Sequence, residues 1–337
     1  MIAGAALADW LGDRAAQRRS YHSVEASAER WSRHPWMTRL DRAVIELDPR
    51  TPEGLLDAAR RFIDQAGELE AMMRELLAAC REDPFFRPPF QPLLSEVQNS
   101  LLLYHHPELS VALGVTGVDL LAAKKSARRG PASVNFTGFH TLMRFVKAGG
   151  ATFSFWEAPR ISDRFVAAEA GTCRVVGRRR IEDGEELVFD GRRQSFVIEH
   201  AHGDIVYFQA AARAGAAPVG AEYDSDTGAF VGASSTDEAS SRLEMMVSLL
   251  RAMDRTDAMP VIAEALASPQ FHTRWHVMRE MLALDAEGAL PALKAMAADD
   301  PHPEIRAAAL QTLGLFFEGA QAASAPAADG GAVPCRA

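Results

Sequence analysis

The stretch CRVVGRRRIEDGEELVFDGRRQSFVIEHAHGDIVYFQAAA, residues 173–212, decides how the middle of the chain folds. Short runs rich in Val, Ile, Phe and Tyr alternate with Gly184, Gly191 and Gly203, and Asp183-Gly184 and Asp190-Gly191 are tight-turn dipeptides. Upstream, ATFSFWEAP (151–159) alternates aromatic and small residues. The pattern predicts an antiparallel meander of short strands, closed as a barrel or stacked as a sandwich.

Two sets of polar side chains sit on this meander. Arg179 and Arg180, next to Arg178, and Arg192 with Arg193 fall on two neighbouring strands, where paired guanidiniums could clamp a carboxylate or phosphate. The same arginines also read as a solvated face balanced by Glu182, Asp183, Glu185 and Glu186. His200, His202 and Asp204 alternate, so a continuous strand sends all three to one face and gathers ligands for a cation. A turn at Gly203 would break that face, and the sequence leaves both readings open.

The run EDGEELVFDGRRQSFVIEHAHGD (182–204) resembles the cupins, small β-barrels whose usual metal signature is His-x-His, an acidic residue and a further His. The resemblance implies that His200 and His202 are the pair, holding one divalent metal ion, iron, manganese or zinc. Asp204 stands two residues on, where that family has a Glu after a gap of three or four, and no histidine lies between 203 and 271. His140, in VNFTGFHTLMRFV, would then fold back as third ligand.

Outward from the meander both flanks read as helical. TPEGLLDAARRFIDQAGELEAMMRELLAACRE (51–82) opens with Thr51-Pro52 and keeps one apolar stripe from Leu55 to Cys80, a single long amphipathic helix. After DPFFRPPFQP, LLSEVQNSLLLYHH (93–106) and TGVDLLAAKKSARRG (116–130) continue the helical reading. From residue 242, RLEMMVSLLRAMDRTDAMPVIAEALASP aligns with RWHVMREMLALDAEGALPALKAMAADDP and then RAAALQTLGLFFEG, starting at Arg242, Arg274 and Arg306. Leu249, Met281 and Leu313 occupy equivalent positions, and a two-helix unit of this length buries its apolar face only by stacking on the next.

This last region resembles HEAT-like repeats, with DDPHPEIRAAALQTLGLF (299–316) the clearest instance, and the resemblance implies a protein-binding surface. That family also includes iron hydroxylases with His-Glu dipeptides on successive repeats, and this chain has no such dipeptide. His272 and His276 share a helical face with Glu280, but HExxH is missing, which favours packing. The predicted fold class is α+β multidomain: an N-terminal helical domain (1–148), a central antiparallel cupin-like β barrel or sandwich (149–235), a C-terminal HEAT-like α-solenoid (236–318) and a disordered tail (319–337) with an exposed Cys335.

Composition bounds the function. Of 337 residues 48% are hydrophobic, enough for two or three cores, and no apolar run approaches the roughly 20 residues that span a bilayer. Three dispersed cysteines, Cys80, Cys173 and Cys335, fit a reducing cytoplasm. A net charge of -9 argues against nucleic acid as a partner. Residues 120–213 are nevertheless basic, with 15 Lys and Arg against 10 Asp and Glu, which suits an anionic ligand or docking against acidic neighbours. No GxGxxG, Walker loop, GxSxG or paired CxxC occurs. The expectation is a cytoplasmic adaptor or regulator that binds a protein partner through its repeats and a small anionic ligand or acidic peptide through its β domain, with no membrane or nucleic-acid role. The alternative is a metal-dependent cupin-type enzyme.

Overall fold

The structure, a computed structural model, describes residues 4–127 and 132–318. The chain divides into two compact units that meet between Thr236 and Asp237.

The first unit opens with helices α1 (Gly4–Gly12), α2 (Arg14–Ser32), α3 (Pro35–Ile45), α4 (Pro52–Ile63) and α5 (Ala66–Glu82). Thr51 caps α4 by accepting a 3.2 Å hydrogen bond from the Gly54 amide, with Pro52 in the first turn where its missing N–H costs nothing. The single helix expected over 51–82 is two, because Gln65 leaves the helical region (φ -89°, ψ 55°). The apolar stripe survives the break: Leu55, Phe62, Met72 and Leu76 all enter one core.

Strands begin far earlier than the sequence reading placed them: β1 (Gln91–Leu94), β2 (Gln98–His106) and β3 (Leu109–Thr116) precede α6 (Val118–Ala127). Residues 93–106 are therefore strands rather than helix. A bulge between Leu102 and Tyr104 interrupts the period of two, which is why a run of leucines in this segment imitates a helix. Then follow β4 (Ser133–Phe136), β5 (His140–Lys147), β6 (Thr152–Glu157), β7 (Arg174–Arg180), β8 (Glu186–Asp190), β9 (Gln194–His200), β10 (Ile205–Ala212), β11 (Val219–Asp224) and β12 (Phe230–Ser235). They form three antiparallel sheets, ordered β1-β2-β3-β10-β5-β8, β12-β11-β4 and β7-β6-β9. Among the described residues no ladder closes the six-stranded sheet into a ring.

That sheet has two unlike faces. Leu109 and Val111 of β3, Leu142 of β5, and Phe208, Ala210 and Ala212 of β10 point one way and join the core of α3, α4 and α5. The alternate residues, among them Thr116, Thr141, Met143, Tyr207 and Gln209, point the other way. Arg60 of α4 and Arg144 of β5 converge on Glu186 of β8 and tie helix to sheet edge.

The second unit contains α7 (Glu238–Ala252), α8 (Met259–Glu264), α9 (Phe271–Leu284), α10 (Ala286–Asp299) and α11 (Pro303–Leu313). The 32-residue spacing has a physical basis at Arg274, which is buried and holds Asp300 through two 2.8 Å bonds, while Arg306 donates to the Asp300 carbonyl. His272 contacts Glu244 at 3.0 Å and His276 contacts Ser248 at 2.9 Å, so this pair joins α9 to α7. The tail expected at 319–337 lies outside the described residues. No described helix is long and apolar enough to cross a membrane.

Candidate functional site

The inward faces of the sheets in the first unit enclose a cavity of about 940 Å³. Its floor is the six-stranded sheet, contributing Gln98, Thr116, Ile205, Tyr207, Gln209, Thr141, Met143 and Phe145. The opposite wall is β6 and β9, with Phe153, Phe196 and Ile198, and Phe189 of β8 closes the side. Phe153 stacks on Phe196 with centroids 5.0 Å apart, and Phe189 lies 5.1 Å from Phe196. A Cβ at Gly114 would meet the Tyr207 ring at 2.9 Å, so glycine there is what lets the ring lie flat against β3.

Uncharged hydrogen-bonding groups are spread through this lining, among them Gln98, Thr116, Asn135, Thr141, Ser195 and Gln209. Gln98 donates to Ser100 Oγ at 2.9 Å. Burial holds the Tyr207 phenol above its usual pKa, and a hydrogen bond with Thr116 offsets part of that. Thr141 is only 5% exposed, and its Oγ1 has no partner. Gln209 is its diagonal neighbour, since the β5–β10 ladder pairs Gln209 with Met143 and Ala211 with Thr141. Charged lining residues are confined to Lys124 and Lys125 of α6, Arg178, Glu199 and Asp226.

The sequence-predicted site residues fall elsewhere. His200 ends β9 and His202 lies in the bend before β10, where the His202 and Gly203 amides both donate to the Gly149 carbonyl. Gly149, at φ +62°, makes this crossing of two turns possible, because a Cβ there would lie 2.2 Å from the Gly203 carbonyl oxygen. EHAHGD is thus a turn. Its two imidazole rings are 5.5 Å apart and share no face with Asp204, whose carboxylate instead accepts the Val118 amide.

His140, expected as third ligand, stands at the opposite end of β5 from Gly149. Seven residues separate His140 from Lys147, about 23 Å at strand rise. Burial depresses its pKa, Asp190 at 3.7 Å opposes that depression, and Arg192 adds to it. Among the described residues no group of three or more His, Cys, Asp or Glu could hold a metal ion, so the proposed ligand set does not fit one.

The arginines are likewise separated. Arg180 and His200 both pair with Thr152 at one end of β6, whereas Arg192 and Arg193 occupy the turn before Gln194, which pairs with Glu157 at the other end. Five residues of strand, about 17 Å, lie between. Each has its own carboxylate: Arg179 with Glu185, Arg180 with Glu182, Arg192 with Asp190 and Arg193 with Glu157. Arg179 also lies 5.2 Å over the Phe155 ring. Sequence reasoning missed Thr141, Gln209 and Tyr207. Their one sequence signal is the alternation of polar and apolar residues along HTLMRFV and IVYFQA.

In the second unit large exposed apolar side chains stand on α7 and at its C-cap, at Met245, Met246, Leu249 and Met253, and towards the other end at Leu310, Leu315 and Phe316. Among the second helices of the repeats, α8 adds Val261.

Comparison with known proteins finds HEAT repeats over residues 234–314. No curated protein matches the sequence. Among solved structures, similarity extends to ectoine synthase from P. lautus (7% identity, 36% of this chain and 67% of that one, TM-score 0.22). It extends also to a cupin-superfamily sugar phosphate isomerase from Silicibacter pomeroyi (10%, 41% and 76%, TM-score 0.23). A third is a cupin domain from Bordetella pertussis (6%, 36% and 97%, TM-score 0.21). At TM-scores this low the likenesses carry no conclusion about chemistry. The second unit is what the sequence comparison reaches: a helical segment similar to HEAT repeats.

Proposed function

We propose that the chain is a cytoplasmic regulatory adaptor whose cupin-like first unit binds a small molecule and whose HEAT-like second unit holds a protein partner. The observation that carries this reading is the cavity of about 940 Å³, lined by aromatic rings and uncharged hydrogen-bonding groups, with charge confined to Lys124, Lys125, Arg178, Glu199 and Asp226. Its size matches the roughly 300–1,000 Å³ of small-molecule sites, and aromatic walls with convergent polar groups are part of their usual composition. The HEAT-repeat match supports the protein-binding half, with the second helices, residues 260–267 and 291–298, as the proposed partner surface beside the exposed side chains of α7. The anion site moves in this reading from Arg179, Arg180, Arg192 and Arg193, none of which lines the cavity, to Lys124 and Arg178, which do.

The test is saturable binding of the fluorophore 1-anilinonaphthalene-8-sulfonate to the full chain. One site per chain, lost in a Met143→Trp variant that keeps its circular dichroism spectrum, is the expected result. Diffuse, unsaturable binding indifferent to that variant would defeat the ligand-binding reading. For the partner half, a Met245→Ser, Leu249→Ser variant that binds an identified partner as tightly as wild type would remove α7 from the interface.

A further inference from the structure

Two sets of polar groups in the cavity differ in kind, and this constrains what fits. The inner end carries Thr141, whose hydroxyl is buried and unpartnered, and Gln209 beside it. A hydroxyl buried without a partner is costly, and the cost disappears when a ligand supplies the missing hydrogen bond. Along β10, six residues separate Ala211, the ladder partner of Thr141, from Ile205 at the α6 end, about 20 Å of strand. The wall between carries aromatic rings and uncharged polar groups.

The outer end is where charge appears. Lys124 and Arg178 lie at this mouth, 57% and 65% exposed, in single contacts to Glu96 (3.0 Å) and Glu199 (3.7 Å). Such exposed pairs are weak and exchange readily for another anion. Lys125 donates to the carbonyls of Ile198 and Glu199 and keeps α6 over the opening. An ionised group cannot be carried into the uncharged interior without a partner, so a charged ligand must leave its charge at the mouth. Lys124, Lys125 and Arg178 are the cations of the lining, against Glu199 and Asp226, and Glu96 pairs with Lys124 from outside it.

We infer that the ligand is an amphipathic acid: a carboxylate at Lys124 and Arg178, a long apolar body along the aromatic wall, and one hydrogen-bonding group at the buried end for Thr141 and Gln209. This assignment rests on the ligand-binding reading above and narrows it to a chemical class.

Three probes separate the parts, measured by calorimetry on the full chain: 12-hydroxydodecanoate has both ends, dodecanoate lacks the inner group, and 1,12-dodecanediol lacks the anion. The hydroxy acid is expected to bind one per chain, each of the others about tenfold more weakly. Thr141→Val should bring the hydroxy acid down to the affinity of dodecanoate and leave dodecanoate unchanged. Lys124→Gln with Arg178→Gln should weaken both acids and not the diol. Equal binding of all three probes to wild type would overturn the amphipathic-acid assignment while the cavity remained a ligand site. Binding of none would overturn the assignment and the ligand-binding reading together. Because the wild-type comparison depends on no variant, a substitution that misfolds leaves the assignment open to refutation.

Discussion

The two faces of the six-stranded sheet are built from the same strands and do opposite things. Leu142 and Phe208 look into a helical core where nothing is open, while their immediate neighbours Thr141 and Tyr207 look into a cavity. Over its centre the helix face carries apolar side chains, and the charged Arg144 and Glu186 at its edge hold each other and Arg60, because a polar atom there that gained no partner would lose water for nothing. The cavity face breaks that rule at Thr141 and leaves space unfilled, both of which lower stability. The contrast teaches that one face holds the unit together and the other spends part of that stability on a place for a ligand.

The largest effect is expected where the comparison is broken on its stable side. Phe208 is fully enclosed by the α3, α4 and α5 core, and Phe208→Ala removes a ring from a site that cannot collapse around the loss. A loss of about 3–5 kcal/mol is expected from urea unfolding of the first unit. If the loss came to no more than an exposed substitution costs, the helix face would not be the chief support of the sheet.

A second and smaller effect sits at the sheet edge, where Glu186 receives both Arg60 and Arg144. Burial alone would raise its pKa, but hydrogen bonds from the two guanidiniums outweigh it and hold the carboxyl below its ordinary 4.5. A carboxyl whose pKa is depressed by folding adds stability above its unfolded value, and that part is lost as pH falls through the folded value. Glu186→Gln should therefore be less stable than wild type at neutral pH, and the gap should close in acid, below about 4.5. Urea midpoints at the two ends of that range decide it; a gap independent of pH would mean that the carboxylate charge contributes nothing.

How much of this was legible in the sequence follows the range of the forces involved. The repeat unit was readable because its packing is local and periodic: Arg242, Arg274 and Arg306 recur at 32 residues, and two of them, Arg274 and Arg306, bind the same Asp300. The strands at 91–116 were not, because a bulge breaks their alternation and their link to the rest of the sheet, the β3–β10 ladder, joins residues about a hundred positions apart. At the site, charge and imidazole attract the eye in a sequence, yet His200, His202 and the four arginines occupy turns and outer positions where such groups are easily solvated. The inner anchors, Thr141 and Gln209, are ordinary strand residues that become special only when register places them diagonally on one face.

The smallest expected effect is the sharpest test of the comparison. Thr141→Val keeps the shape of the side chain and deletes a hydroxyl that has no partner in the unliganded chain. On the helix face, removing atoms always costs stability. Here the substitution exchanges a desolvated polar atom for a methyl, so stability should stay level or rise by up to about 1 kcal/mol. Thermal and urea midpoints of the variant without added ligand measure this directly. A loss beyond about 1 kcal/mol would mean that the hydroxyl is satisfied within the protein, and Thr141 would then belong with Leu142 as part of the fold. A neutral or positive change, together with the weakened binding of the hydroxy acid, would show that the polar atom is kept for the ligand at the expense of the fold, which is the distinction between the two faces reduced to a single oxygen.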